Sequence, residues 1–173
     1  NGDQLFLNTE SKEMNTQVEA DERWRQEGLR WGIIAGGIIV ALFAGVYFLN
    51  RPLVLSRGLW LGSLLIYALA MWQAQKTVDE GEDLKAYIQP GFLVFVVANA
   101  LFYLYYYFLF AVFDPELVEL QAELVRQSGE EPNSPVQTTV GNTFFSYVQS
   151  LILGFMMAAG IGFILSRRLP ANN

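Results

Sequence analysis

Histidine and cysteine are absent from all 173 residues. Those side chains are the usual ligands of zinc, copper, haem and iron–sulfur clusters, so a metal or redox centre held by this chain alone is not expected. Imidazole acid–base chemistry and thiol nucleophiles are excluded outright. A Walker loop, a dinucleotide-binding glycine pattern and a basic nucleic-acid face are also missing. A serine triad would need the absent histidine. The expectation is therefore a non-catalytic protein with no cofactor and no nucleic-acid partner.

Charge is scarce in four apolar stretches, near Trp31–Leu49, Arg57–Trp72, Pro90–Phe113 and Phe144–Leu165. A bilayer core takes about 20 helical residues to cross. The net charge of −6 and the 53% apolar content are reconciled by position, because the acids gather in three segments outside the stretches, the N-terminal tail among them. This patterning predicts an all-α polytopic membrane protein with four transmembrane helices and one amphipathic interfacial helix. The second stretch is the shortest. Pro90 suits the first turn of the third, and Arg167-Arg168 with Pro170 closes the fourth. The four-helix domain is expected over residues 31–168. A polar acidic tail, 1–30, precedes it and a short tail, 169–173, follows. Residues 1–15 are expected to be mobile on composition, while 16–30 could extend the first helix.

Four spans put both termini on one side. That side would carry Lys12, Arg23, Arg25, Arg30, Lys76, Lys85, Arg167 and Arg168, against Arg51, Arg57 and Arg126 opposite. Eight against three predicts cytoplasmic termini in a bacterial inner membrane. The connection after span three opens Asp114-Pro115-Glu116, and Leu117, Leu120 and Leu124 recur at helical spacing. This predicts an amphipathic helix over about 115–128 at the outer interface, with Asp114 as its N-cap and Glu116 at the positive end of its dipole. Glu130–Pro135 reads as a linker, and Asp79–Asp83 as a solvated acidic turn lacking the ligand spacing of a calcium loop.

Within the spans, Ser150, Gly154, Ala158, Gly162 and Ser166 place a small residue at every fourth position. Gly32 and Gly36 begin a similar row, and Gly37, Ala41 and Gly45 form a second. Small residues at this spacing let helix backbones approach closely. They serve either packing inside one bundle or a groove for another subunit. Asn99, Tyr147 and Gln149 are the main intramembrane polar groups, and Asn99 is expected to bond to Gln149 or Tyr147. Span three holds Tyr103, Tyr105, Tyr106 and Tyr107 among many phenylalanines. These suit an interfacial belt, or contact with a lipid, quinone or pigment.

The order of features resembles a bacterial family of four-span membrane proteins known only as a domain of unknown function, of Bacteroidetes type. The matching residues are Trp31–Gly37 opening span one, the aromatic run Tyr103–Phe113 leading into Asp114-Pro115-Glu116, and the glycine-rich fourth span ending in Arg167-Arg168. The resemblance covers about residues 30–168 and implies the fold, with no activity or site residues to carry over.

The expected function is an accessory or assembly subunit docking on a larger inner-membrane complex, such as a respiratory assembly. Its partners would be membrane lipids and other membrane-protein subunits. The alternative is an oligomeric small-molecule or lipid permease, with a polar cavity lined by Asn99, Tyr147, Gln149 and Ser150. A lipid-acting enzyme would have only Asp114 and Glu116 to work with.

Overall fold

The computed structural model describes residues 2–79, 82–127 and 139–167, with side chains from Glu22 onward except Val125. Five α-helices account for nearly all of these, and no strand occurs among the described residues. They are α1 (Gly2–Leu49), α2 (Arg57–Gln75), α3 (Leu84–Phe108), α4 (Glu116–Gln127) and α5 (Val140–Arg167). A 3₁₀ turn, Arg51–Leu55, joins α1 to α2, and a π turn, Leu109–Phe113, ends α3.

The helices begin and end where local chemistry allows. Ser56 caps α2 by accepting a hydrogen bond from the Leu59 amide at 3.2 Å. Asp83 caps α3 by accepting from Ala86 N at 2.9 Å, so that helix starts six residues before the expected Pro90. Pro90 lies inside the helix. The acidic turn thus supplies the stronger start signal, a carboxylate for an otherwise unpaired amide. Thr139 does the same for α5 through Asn142 N at 3.2 Å, moving its start ahead of Phe144. The tail also departs from expectation. Gly2–Leu49 is one continuous helix of 48 residues, because nothing between Asp3 and Arg30 breaks it and Gly28 is tolerated by close packing on α3.

Among the described residues, three helices are long and apolar enough to cross a membrane: Glu22–Leu49, Leu84–Phe113 and Val140–Arg167. The second expected span, α2, forms a helix of 19 residues but is not among them. Arg57 begins it, and Gln73 and Gln75 dilute its last turn.

Contact registers give the topology. Along α1 and α3, Gly28 meets Leu93, Gly32 meets Val97 and Gly36 meets Leu101, a constant offset of 65 residues. A constant offset means that the two helices run parallel. Numbers that fall on one helix while rising on the other mark antiparallel pairs. Tyr67–Asn99 and Gln75–Gly91 make α2 antiparallel to α3. Asn99–Ser150, Phe95–Gly154 and Tyr87–Gly162 do the same for α5. The four long helices therefore alternate in direction, with α3 touching the other three.

The core follows one face of each helix. Ala35, Ile39 and Phe43 of α1, Tyr67, Ala70, Met71 and Ala74 of α2, and Val94, Phe95, Ala98 and Phe102 of α3 are all buried. Phe43, Trp60 and Phe102 form edge-to-face contacts at 4.8–5.5 Å between ring centres. Tyr106 stacks on Phe110 at 4.2 Å, so part of the tyrosine run packs in the bundle rather than forming only a belt at its rim.

Candidate functional site

α1 and α3 are parallel, so their C-terminal ends emerge side by side. Carried forward, the 65-residue offset pairs position 51 with position 116. There Arg51 Nη2 donates to Glu116 Oε2 at 3.1 Å and to Asp114 Oδ1 in a closer bond. Tyr47, one turn back on α1, donates its hydroxyl to the other oxygen, Asp114 Oδ2, at 3.0 Å. Asp114 is buried, Arg51 is partly exposed and Glu116 is open to solvent.

Two irregular turns aim these groups at each other. The π turn closes with Asp114 N donating to Leu109 O at 2.8 Å, and the extra residue in such a turn rotates the next side chains relative to a regular helix. Opposite, Asn50 leaves the helix in an extended conformation and the 3₁₀ turn starts at Arg51. That turn is held by Trp60 Nε1, which donates to Val54 O at 3.2 Å. Hydrogen bonds to Asp114, then to Glu116, raise the Arg51 guanidinium's pKa further above its ordinary value, so it stays charged at any accessible pH. Tyr47, Arg51, Phe113, Asp114, Pro115 and Glu116 line an open recess of about 320 Å³.

The expected N-cap role of Asp114 is corrected here. The carboxylate turns to Arg51 and Tyr47, and the first turn of α4 is closed instead by backbone bonds, Leu117 N to Asp114 O and Val118 N to Pro115 O, both 3.1 Å. A guanidinium is a stronger partner for a carboxylate than an amide. α4 itself runs Glu116–Gln127, close to the expected 115–128, with Leu117 fully buried. Position 128, the end of the expected range, and the Glu130–Pro135 linker lie outside the described residues.

The small-residue row of α5 faces its own bundle. Gly154, Ala158 and Gly162 are buried and Ser150 is half-buried. A Cβ on Gly154 would overlap the Phe95 ring, approaching Cε1 to 2.6 Å, and one on Gly162 would sit 3.2 Å from Tyr87 Cβ. Gly32 and Gly36 lie against α3, where a Cβ would come 3.2 Å from Val94 O and 3.0 Å from Ala98 Cα. These surfaces are occupied within the chain and are not open to a partner. The other row points outward: a Cβ on Gly37 or Gly45 meets nothing within 4 Å.

Asn99 is buried and bonds to neither expected partner. Its Nδ2 donates to Ser150 Oγ at 2.6 Å, and its Oδ1 accepts from Tyr67 OH at 3.3 Å. Tyr147 OH donates to Val96 O at 3.3 Å. Gln149 is exposed, because residues 147, 150 and 154 share the face toward α3 and position 149 turns away. Replacing Asn99 by leucine removes both bonds, and we expect a loss of about 0.6–1.7 kcal/mol, the range of interhelical hydrogen bonds in membrane bundles, measured by thermal unfolding in detergent. A buried group that sequence reasoning missed is Gln75, whose Nε2 donates to Ala158 O at 2.8 Å while its Oε1 is buried without a partner.

Sequence reasoning also missed the Arg51 cluster. A signal was present: an arginine just after span one and an acid just after span three must share a side when the spans alternate. If the pair ties α1 to α3, Asp114→Arg is expected to lower the thermal midpoint, and the charge swap Arg51→Asp with Asp114→Arg to recover part of it. Unfolding of the two variants side by side checks this.

A helical bundle with apolar outward faces and long spans defines the class, an all-α membrane-type protein. The chain belongs to the family described as "Protein of unknown function (DUF4199)", whose model matches residues 30–167. No curated protein and no solved structure matches it.

Proposed function

We propose that this protein is a non-catalytic accessory or assembly subunit of a larger inner-membrane complex, with four membrane-crossing helices and both termini in the cytoplasm. One observation carries the reading. By the α1–α3 register, Leu84 at the start of α3 lies level with position 19 of α1, and α1 is helical back to Gly2. Residues 2–18 therefore prolong a transmembrane helix by about 25 Å beyond the level where its parallel neighbour begins, at 1.5 Å per residue. A continuous polar helix of that reach is suited to holding a partner at the membrane surface.

Support for α2 as the fourth span comes from its outward stripe. Leu61, Leu65 and Leu69 are each 67–68% exposed, a row of leucines that water would disfavour and lipid would accept. Its 19 residues reach about 28 Å, near the thickness of the hydrocarbon core. The orientation is supported by the excess of Lys and Arg at the end of the bundle where α1 begins, a count in which acidic neighbours weigh little. The permease reading is weakened by the interior, where Asn99, Ser150 and Tyr67 bond to each other and Gln149 points away.

The test is purification from the native membrane in mild detergent, with mass spectrometry of the proteins that accompany this one. A stoichiometric set of larger membrane subunits, lost on deleting residues 1–18 while the bundle stays inserted, is the expected result. A homo-oligomer without other subunits would sink the proposal and return weight to the permease.

A further inference from the structure

The recess at the exits of α1 and α3 has the position, size and charge of a headgroup site. We propose that it binds the headgroup of a zwitterionic phospholipid bearing a primary amine, with the phosphate on Arg51 and the ammonium on Glu116. The inference rests on the membrane embedding of α1 and α3 and not on the accessory-subunit reading.

α1 ends at Leu49 and the apolar run of α3 at Phe113, so the recess sits where hydrocarbon gives way to headgroups. Phe113, 76% exposed, forms an apolar wall beside the charged groups. A lipid bound here would have its glycerol end against that wall and its polar end against Arg51 and Glu116. The recess, about 320 Å³ and open on one side, lies at the small end of ligand sites. It suits a headgroup better than a nucleotide-sized cofactor.

Charge selects the kind of headgroup. One guanidinium and two carboxylates meet here, a net negative site that disfavours a purely anionic ligand, while a purely cationic one would leave the guanidinium without a ligand partner. A zwitterion satisfies both signs. The three groups also differ in commitment. Asp114 already accepts one hydrogen bond on each oxygen, from Tyr47 and from Arg51, and acts as the anchor that orients the guanidinium. The Arg51–Glu116 pair is solvent-facing, with side-chain exposures of 39% and 79%, and such pairs exchange readily. Phosphate can then take the outer edge of a guanidinium that Asp114 keeps in place, and Glu116 is released to the ammonium.

The amine is primary because its partner is a carboxylate, which gains from N–H donors. A quaternary ammonium, which has none, is recognised by aromatic faces surrounding the charge. Tyr47 and Phe113 are the two aromatic residues lining the recess, too few to surround such a charge.

The full chain in detergent would be offered ethanolamine, choline and glycerol phospholipids of identical acyl chains in equal amounts, and retained lipid read by native mass spectrometry. We expect about tenfold preference for the ethanolamine lipid, falling to within about twofold in Glu116→Gln. That variant alters an exposed side chain, and an unchanged thermal midpoint verifies that it folds; Arg51→Ala, which breaks the tie to Asp114, is the harsher companion. Equal retention of the three lipids, preference for the anionic one, or an unaltered preference in Glu116→Gln would overturn the proposal. Soluble glycerophosphoethanolamine separates the sources: binding of this compound without binding of the lipid would overturn the membrane origin of the ligand.

Discussion

Gly154→Val is expected to lower the stability of the bundle by about 1–3 kcal/mol, the usual cost of overpacking a filled core. Gly154 is buried against Phe95, which is 2% exposed. A Cβ there overlaps the ring itself rather than the tip of a flexible chain, so relief requires moving α5 away from α3 or tilting Phe95 out of its contact with Tyr67, 4.9 Å between ring centres. Either movement also strains the Asn99–Ser150 bond one turn away. The control is Gly160→Val, where a Cβ meets nothing within 4 Å; it should change stability little. Thermal unfolding of both variants in the same detergent checks the prediction. Equal midpoints would mean that α5 does not pack on α3 as described.

The second large effect is expected for Phe102→Ala. Phe102 is 4% exposed and touches Phe43, Trp60, Tyr103 and Tyr106, so its ring joins α1, α2 and α3 at one level. In lipid the transfer part of the hydrophobic term is nearly absent between helices, and packing carries the association. The expected loss is therefore about 3 kcal/mol, the lower end of Phe→Ala costs in soluble cores. Because Trp60 packs edge-on against this ring, the variant should also shift tryptophan emission, while Phe108→Ala, on an exposed position, should leave both readouts near wild type. Fluorescence-monitored denaturation reads both quantities together.

These two substitutions mark where sequence legibility stops. The spacing of Gly154 with Ser150, Ala158 and Gly162 was enough to place it on a packing face, since a row every four residues lies along one side of a helix. It could not say which body fills that face, because small residues admit a helix of the same chain as readily as a foreign one. Span one is a sharper case. Gly36 and Gly37 are neighbours in sequence, yet one is buried against Ala98 and the other faces open space. Both rows have identical periodicity, and only the partner helix distinguishes them. Asn99 behaves similarly. Its need for an interhelical hydrogen bond was legible from its type and its place in an apolar run, whereas its choice of Ser150 over Gln149 depends on the rotation of α5.

At the bundle's end, the sequence determined that Arg51 and Asp114 both leave apolar helices, and that Asp-Pro-Glu opens an amphipathic one. Local rules made Asp114 a cap, since a free amide lies close by in the chain. The tertiary structure decided otherwise, because parallel packing of α1 on α3 delivers a guanidinium and a tyrosine hydroxyl to the same carboxylate. Composition by itself determined the all-α fold, the apolar spans and the lack of imidazole or thiol chemistry, all of which depend on residue type and short-range spacing. Register, helix rotation and the meeting of residues 63 to 67 positions apart arise only when whole helices dock, and the recess at Arg51 is made of nothing else.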